Sequence, residues 1–160
     1  MMVFHAKTHP ELSNWQITND VVMGGNSQSK FVINKEGYGE FSGQVSLENN
    51  GGFSSVKYSL DRIDVDAFTK IRIKLKGDTH RYQLRIKTKK EDRHSYISYF
   101  ETSDQWQTIE FPLTEFYPTY RGRELQLSKY PGKYLEEIGF LIANKKAQNF
   151  KLEIEQIDFL

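Results

Sequence analysis

The 160-residue sequence contains no cysteine, which excludes disulfide bonds, thiolate metal ligands and cysteine nucleophiles. It has no run of about 18 apolar residues, the length that a helix needs to cross a bilayer, and no apolar N-terminal stretch typical of a signal peptide. Its formal net charge of +1 gives no electrostatic reason to expect nucleic acid. We therefore expect a cytoplasmic protein that has no transmembrane segment and does not bind nucleic acid.

Catalytic motifs are also missing. The sequence has no nucleophile elbow, phosphate-binding loop or paired-histidine zinc motif. The acidic cluster of Glu153, Glu155 and Asp158 resembles the carboxylate pair of a glycosidase, but the apolar alternation around it directs Glu153 and Glu155 towards solvent. Three aspartates within 61–66 offer oxygen ligands without a recognisable calcium spacing. We expect no catalytic residue, no metal and no cofactor, with an uncharacterised enzyme as an alternative.

The chain is rich in aromatic residues, with 11 Phe, 9 Tyr and 2 Trp, and aromatic residues favour strands. Apolar and polar residues alternate over Lys70–Lys76, the pattern of a strand with one buried and one solvated face. Further strands are predicted at 28–34, 54–60, 82–87, 96–102, 107–112, 139–144 and 150–159. The sequence thus predicts an all-β protein: one domain over 1–160, an antiparallel β-sandwich or jelly roll.

Three local features are predicted from the same pattern. Gly77-Asp78 is a turn signal, which predicts that the strands on either side of it form a hairpin. The apolar parity of the last strand changes near Glu155, which predicts a β-bulge. One helical turn is predicted at 134–137, and Asn-Gly within 49–52 suits a tight hairpin turn.

Basic residues are concentrated in one region. Between Lys70 and Arg93 there are ten Lys or Arg residues against three acidic ones. If the strands around Gly77-Asp78 form a hairpin, these cations share one sheet surface. The predicted anion patch consists of Arg72, Lys74, Arg85 and Lys87. The alternative is a solvated face whose like charges discourage edge-to-edge pairing of sheets.

Two glycine-rich strings are the most distinctive motifs: NDVVMGGNS at 19–27 and LENNGGFSSVK at 47–57. Each combines Asn or Asp with a Gly-Gly pair, and glycine permits close approach of another backbone or a ligand. We predict that they are shaped backbone loops that pack together at one end or edge of the sandwich. Their short polar side chains suit either mutual hydrogen bonding or recognition of a partner, and Trp15, Tyr99 and Trp106 are candidates for stacking on a sugar ring.

These motifs resemble the complex I intermediate-associated protein 30 family. The likeness rests on Trp15 followed by the first string, on Phe41-Ser42-Gly43, and on the second string. Weaker matches follow in the expected order at Tyr82, Tyr99-Phe100, Trp106, Phe111-Pro112, Phe116, Gly122, Ile138-Gly139-Phe140 and Phe150. The family's signature residues fall on Asp20, Met23, Gly24, Gly25, Ser27, Asn49, Asn50, Gly51, Gly52 and Phe53.

The resemblance implies a galactose-binding-domain-like β-sandwich. It also implies a protein partner, an assembly intermediate of respiratory complex I (NADH:ubiquinone oxidoreductase), and a stand-alone bacterial member of the family. We therefore expect a non-enzymatic binding module that resembles assembly factors, with the ten signature residues as its binding site. The alternative ligand is a sugar, because the fold and the three aromatic residues suit a carbohydrate-binding β-sandwich.

Overall fold

The computed structural model describes residues 1–19, 25, 27–48 and 51–160, apart from the side chain of Asn19. The described strands are β1 (Met2–His5), β2 (Trp15–Asn19), β3 (Gln28–Ile33), β4 (Gly39–Val45), β5 (Ser54–Asp64), β6 (Lys70–Lys76), β7 (Arg81–Lys87), β8 (Ser95–Glu101), β9 (Trp106–Pro112), β10 (Tyr117–Tyr120), β11 (Arg123–Glu124), β12 (Tyr134–Ile142) and β13 (Gln148–Phe159). Short 3₁₀ turns occur at Leu12–Asn14 and Leu113–Glu115.

The strands form two antiparallel sheets that pack as a sandwich. The back sheet has the order β3-β4-β13-β6-β9, with β1 added beside β13. The front sheet has the order β11-β10-β8-β7-β12-β5-β2. The all-β sandwich expected from the sequence is thereby confirmed.

The core lies between the two sheets and is built by alternate residues of their strands. Ile71, Ile73 and Leu75 of β6 are fully buried, and so are Leu84 and Ile86 of β7. Each of these residues is flanked by a polar residue that points away from the core, because side chains along a strand alternate between its two faces. The alternation therefore predicts the strands and their buried faces correctly.

The bulge predicted near Glu155 is confirmed, since the register between β13 and β6 shifts between Ile154 and Gln156. The shift keeps both Ile154 and Ile157 in the core although they have opposite parity. The helical turn predicted at 134–137 is wrong, because this segment is the start of β12 and pairs with β5.

The predicted hairpin between β6 and β7 is also wrong. Strand β6 pairs with β13 and β9 in the back sheet, whereas β7 pairs with β8 and β12 in the front sheet. Gly77-Asp78 therefore begins a crossing between the sheets. The hairpin turn expected within 49–52 fails for the same reason, since β4 and β5 lie in different sheets; Asn49 and Asn50 themselves lie outside the described residues.

Helices long and apolar enough to cross a membrane do not occur in the described parts of the chain.

Candidate functional site

The two glycine-rich strings are neighbouring crossings between the sheets. The first leads from β2, at the edge of the front sheet, to β3, at the edge of the back sheet. The second returns from β4 in the back sheet to β5 in the front sheet. Because β2 pairs with β5 and β3 pairs with β4, both crossings lie at the same edge of the sandwich.

Hydrogen bonds join the described ends of these crossings. The Ser27 hydroxyl accepts from the Ser46 backbone N–H (2.9 Å) and donates to the Ser46 carbonyl (3.3 Å). The hydroxyls of Ser54 and Ser29 also hydrogen-bond to each other. Ser27 is completely buried. The side chain of Ser27 therefore serves the contact between the crossings.

The remaining signature residues divide into two groups. Gly25 is buried, while Gly51, Gly52 and Phe53 are half-buried, and the Gly51 N–H donates to the Glu48 carbonyl (2.9 Å). The others lie outside the described residues: Asp20, Met23, Gly24, Asn49 and Asn50.

The three aromatic residues expected to stack on a sugar lie in three different places. Trp15 is 8% exposed and stacks on Phe31, with ring centroids 4.0 Å apart, so it belongs to the core. Trp106 lies on the outside of the back sheet against Tyr38, at 4.5 Å between centroids. Tyr99, on β8 of the front sheet, is 42% exposed. They do not form one stacking surface.

The four cations of the expected anion patch are likewise divided between the sheets. Arg72 and Lys74 lie on the outer surface of the back sheet, which we call the back face. There they pair with Asp158 (3.4 Å) and Glu155 (2.8 Å) respectively. Arg85 and Lys87 lie on β7 in the front sheet. A shared patch of these four residues is therefore excluded by the topology.

The back face also accounts for the acidic cluster near the C-terminus. Besides the pairs of Asp158 and Glu155, the Glu153 carboxylate accepts a hydrogen bond from Asn34 (3.0 Å) and faces the Lys151 ammonium (3.6 Å). Alternating charges of opposite sign thus cover this surface. The charges of this face are therefore mutually compensated, although Glu153 and Asp158 are only 8% and 7% exposed and do not face open solvent as the sequence pattern suggested for Glu153.

The outward-facing surface of the front sheet, which we call the front face, has a different character. The register of the strands brings together side chains from five of them. Its residues are Lys57, Ser59, Arg81, Gln83, Arg85, Lys87, Ile97, Tyr99, Tyr117, Glu137, Gly139 and Leu141. Several of them are almost inaccessible although they point away from the core, with Gln83 8% and Glu137 7% exposed. Neighbouring side chains of the same face therefore cover its centre.

Tyr99 is held in place by polar neighbours. The Arg81 guanidinium lies 4.2 Å from the centroid of its ring, a cation–π contact. The Gln83 side-chain amide donates to the Tyr99 hydroxyl (3.1 Å), and Arg85 Nη1 donates to Gln83 Oε1 (2.7 Å). A continuous chain of hydrogen bonds thus connects Arg85, Gln83 and Tyr99. It fixes the orientation of an exposed aromatic ring.

Ionisation on this face is influenced mainly by burial. Desolvation lowers the pKa of Arg85, and the charge of Glu137 opposes that change. Desolvation also lowers the pKa of Lys87, with Glu137 opposing it and the positive charge of Lys57 reinforcing it. Burial raises the pKa of Tyr117, further helped by Tyr99. The face therefore holds partly desolvated cations close to the Glu137 carboxylate.

Sequence reasoning missed most of the front face. Arg81, Gln83, Glu137 and Tyr117 carried no motif, Gly139 belonged only to a weak family match, and the neighbours of all five are distant in the sequence. The alternation around Leu84 could have placed residues 81, 83, 85 and 87 on one face. No local signal indicates that β12 and β8 lie on either side of them.

Comparison with known proteins places this geometry in context. The mitochondrial Complex I intermediate-associated protein 30 of Mus musculus is 22% identical over 184 residues, an alignment that covers 98% of this chain and 55% of the mouse protein. This chain thus spans about half the length of that curated relative.

Solved structures with a similar fold include carbohydrate-binding modules. The family 11 module of the cellulosomal cellulase Lic26A-Cel5E of Clostridium thermocellum superposes with a TM-score of 0.69 at 21% identity, covering 98% of this chain and 94% of the module. The family 11 module from Clostridium thermocellum in complex with a β-1,3-1,4-mixed-linked tetrasaccharide gives a TM-score of 0.67 at 20% identity, covering 99% of this chain and 94% of that module. At these identities the likeness shows the fold alone.

The sequence model of one family matches almost the whole chain, over residues 2–154. The matched region includes both sheet crossings and the front face. The chain belongs to the Complex I intermediate-associated protein 30 (CIA30) family.

Proposed function

We propose that this chain is a non-catalytic binding module and that its front face recognises another protein. The observation that carries the proposal is the ordered set of Arg81, Gln83, Arg85 and exposed Tyr99. Tyr and Arg are the residues most enriched in the energetic centres of protein interfaces. Side chains already fixed by hydrogen bonds lose less conformational entropy on binding. The front face thus has the composition and the order of a recognition surface.

The partner that we propose is an assembly intermediate of a respiratory complex. Membership of the CIA30 family and the name of the mouse relative support this choice. The sheet crossings would provide a second contact. Leu141 pairs with Ser55 on one side and with Gln83 on the other, and Gln83 pairs with Tyr99. The second crossing therefore enters the front sheet in the same row of residues as Tyr99.

The engaged carboxylates support a non-catalytic role. Glu153, Glu155 and Asp158 are held by Asn34, Lys74 and Arg72, so a proton donor or nucleophile would have to break these contacts. Glu137 lies alone among cations on the front face, without a second carboxylate opposite it in the pairings of β12 with β5 and β7. A glycosidase needs two carboxyl groups across its substrate.

Site-specific photocrosslinking in cells tests the protein-binding proposal. Tyr99 is replaced by p-benzoylphenylalanine, and the matched control carries the same residue at exposed Thr108 on the back face. We expect the variant at position 99 to crosslink to a respiratory-complex subunit or assembly factor, identified by mass spectrometry, and the control not to. Equal crosslinking at both positions, or none at position 99, would contradict the proposal.

A second candidate ligand is a carbohydrate. The exposed ring of Tyr99 beside the amide of Gln83 has the two elements of a sugar site, a stacking surface and a hydrogen-bonding group. A family 11 carbohydrate-binding module with a similar fold was solved with a mixed-linked tetrasaccharide. Calorimetric titration with that tetrasaccharide tests this candidate. Binding that Tyr99→Ala abolishes and Trp106→Ala preserves would favour it, and no heat of binding would exclude this glycan.

Two further expectations stay proposals. We propose that residues 1–160 fold as one domain. Limited proteolysis tests this, and a single resistant core is expected.

We also propose a cytoplasmic location. Fractionation of the native host tests it, and recovery in the membrane or secreted fraction would contradict it.

A further inference from the structure

Strand β9 is the outermost strand of the back sheet and has an unpaired edge. It pairs with β6 over its whole length, and no other strand of the described residues pairs with it. Its seven residues make it longer than β1, β2, β3 and β11, the strands at the other sheet edges. An unpaired edge of this length presents a row of backbone donors and acceptors that a further strand can use.

The hydrogen bond at the end of β9 determines which of its residues face that edge. The Leu113 N–H donates to the Thr69 carbonyl (2.9 Å), and hydrogen-bonded pairs alternate with non-hydrogen-bonded pairs along an antiparallel ladder. The register between β6 and β9 is uninterrupted, so every second residue counted back from Leu113 bonds to β6. The residues between them direct their N–H and C=O groups to the open edge: Trp106, Thr108 and Glu110.

This open edge is symmetric about Thr108. Pro112, the next residue in the series, has no N–H and ends it on one side, while β9 begins at Trp106 on the other. If two copies lie antiparallel with Thr108 opposite Thr108, each open N–H and C=O of residues 106–110 finds a partner. Glu110, the only charged residue of β9, then lies opposite Trp106 of the second copy and not opposite another carboxylate.

The other edge of the back sheet is protected against such pairing. Strand β3 carries Lys30 at an exposed position, and lysine on an edge strand discourages the approach of a second strand. This edge also lies beside the sheet crossings, where the Ser29 and Ser54 hydroxyls hydrogen-bond to each other. Strand β9 has no lysine, and Thr108 at the centre of its open edge is exposed.

We propose that β9 pairs antiparallel with β9 of a second copy of this chain, with Thr108 on the two-fold axis, and that the two back sheets become one. The axis is perpendicular to the sheet, so the two front faces point in the same direction. The dimer would therefore present two front faces side by side to a partner. Pairing of residues 106–110 buries less area than a standard interface, so we expect reversible, concentration-dependent association.

Disulfide capture tests the pairing and its register, because the chain has no cysteine of its own. In Thr108→Cys the two Cα atoms would lie about 5.5 Å apart, the spacing of a hydrogen-bonded pair, which a disulfide can bridge. In Glu110→Cys, the matched control on the same face of β9, they would lie about 14 Å apart at about 3.4 Å per residue. We expect mild oxidation to link Thr108→Cys into dimers and to leave Glu110→Cys monomeric.

Sedimentation velocity over a concentration series measures the association without a crosslink. The wild-type protein should shift towards the dimer as its concentration rises. Thr108→Lys places two like charges opposite each other and should stay monomeric. Val32→Lys introduces the same charge at an exposed position of β3, on the other edge of the back sheet, and should associate like the wild type. If Thr108→Lys does not fold, as judged by circular dichroism, the disulfide comparison alone decides.

Two kinds of result would overturn the proposal. One is disulfide formation in Glu110→Cys as readily as in Thr108→Cys, or in neither. The other is identical sedimentation of the wild type and folded Thr108→Lys, whether as monomers or as dimers. The proposal does not rest on the function of the front face. A photocrosslinker at position 108 should capture a second copy of this chain and no respiratory subunit, so crosslinking from position 99 tests that function separately.

Discussion

The side chain of Asp78 contacts residues of both sheets. It follows β6 at the crossing between the sheets, and its carboxylate accepts hydrogen bonds from the Tyr82 hydroxyl (3.0 Å) and the Lys151 backbone N–H (2.7 Å). The His80 ring lies 2.9 Å from the same carboxylate. One side chain therefore connects β7 of the front sheet to β13 of the back sheet. The segment predicted as a hairpin turn, Gly77-Asp78, therefore joins the two sheets through the hydrogen bonds of Asp78.

Tyr82→Phe tests how much the hydrogen bond between Tyr82 and Asp78 contributes to stability. The substitution keeps the buried ring but removes the hydroxyl that donates to Asp78, so we expect the free energy of unfolding to fall by about 1.5–3 kcal/mol, the range for a hydrogen bond to a charged group. Urea unfolding followed by circular dichroism gives the value. Tyr134→Phe, at a 44% exposed ring, is the matched control and should change stability by less than about 0.5 kcal/mol.

At the scale of strands, the sequence was sufficient to locate the elements but not to pair them. Alternation is a local property, so the strand of 70–76 and its buried face could be predicted from seven consecutive residues. The choice of partner is not local. Strand β6 pairs with β13, which lies about 80 residues further along the chain, and this choice depends on the packing of the whole core.

The candidate site was less predictable than the fold for the same reason. The glycine-rich strings were recognisable because their unusual residues are consecutive. Arg81, Gln83, Tyr99 and Gly139 lie on three different strands that are far apart in the sequence, and only the register places them together. Trp15 illustrates the opposite error, since its ring was a candidate for ligand stacking but fills the core. Residue type alone does not distinguish these two roles.

The contact between the sheet crossings gives a prediction at this scale. Ser27→Ala removes a buried hydroxyl that accepts from the Ser46 N–H, so we expect stability to fall by about 1–3 kcal/mol. Hydrogen exchange at the Ser46 amide should become faster, whereas the amides of β7 and β8 should change less. Ser13→Ala, at an exposed serine, is the control. Unchanged exchange at Ser46 in Ser27→Ala would show that the hydroxyl does not hold the crossings together.

At the scale of the whole molecule, the two faces of the sandwich differ in how their charges are compensated. On the back face, Lys74 and Arg72 contact carboxylates within the chain. On the front face, Arg85 and Lys87 contact neutral groups. The near-neutral net charge of the sequence therefore conceals an uneven distribution. Composition could exclude a strongly basic protein but could not reveal this asymmetry.

Buried tyrosines give a prediction for the whole fold in alkaline solution. Burial raises the pKa of five phenols in the folded state: Tyr58, Tyr82, Tyr96, Tyr117 and Tyr130. In the unfolded chain they ionise near the ordinary pKa of about 10. As the pH rises through that value, the unfolded state loses protons first, so the free energy of unfolding decreases.

The expected decrease is about 1.4 kcal/mol per pH unit for each phenol that stays protonated only in the folded state. Urea midpoints measured from about pH 8 to about pH 11 should fall steeply above about pH 10. The fall should be shallower in Tyr82→Phe, which has one such phenol fewer. Parallel curves for the two proteins would indicate that Tyr82 does not resist ionisation in the fold.

The positions of the two tryptophans determine what intrinsic fluorescence can report. Trp15 stacks on Phe31 inside the core, and Trp106 lies against Tyr38 on the back face. Neither indole is on the front face, so emission should shift on denaturation yet stay constant when a ligand occupies the front face. Quenching of Trp106 by an added compound would instead indicate binding at the opposite surface. The tryptophan fluorescence of the unmodified protein can therefore indicate whether a ligand binds the front face or the back face.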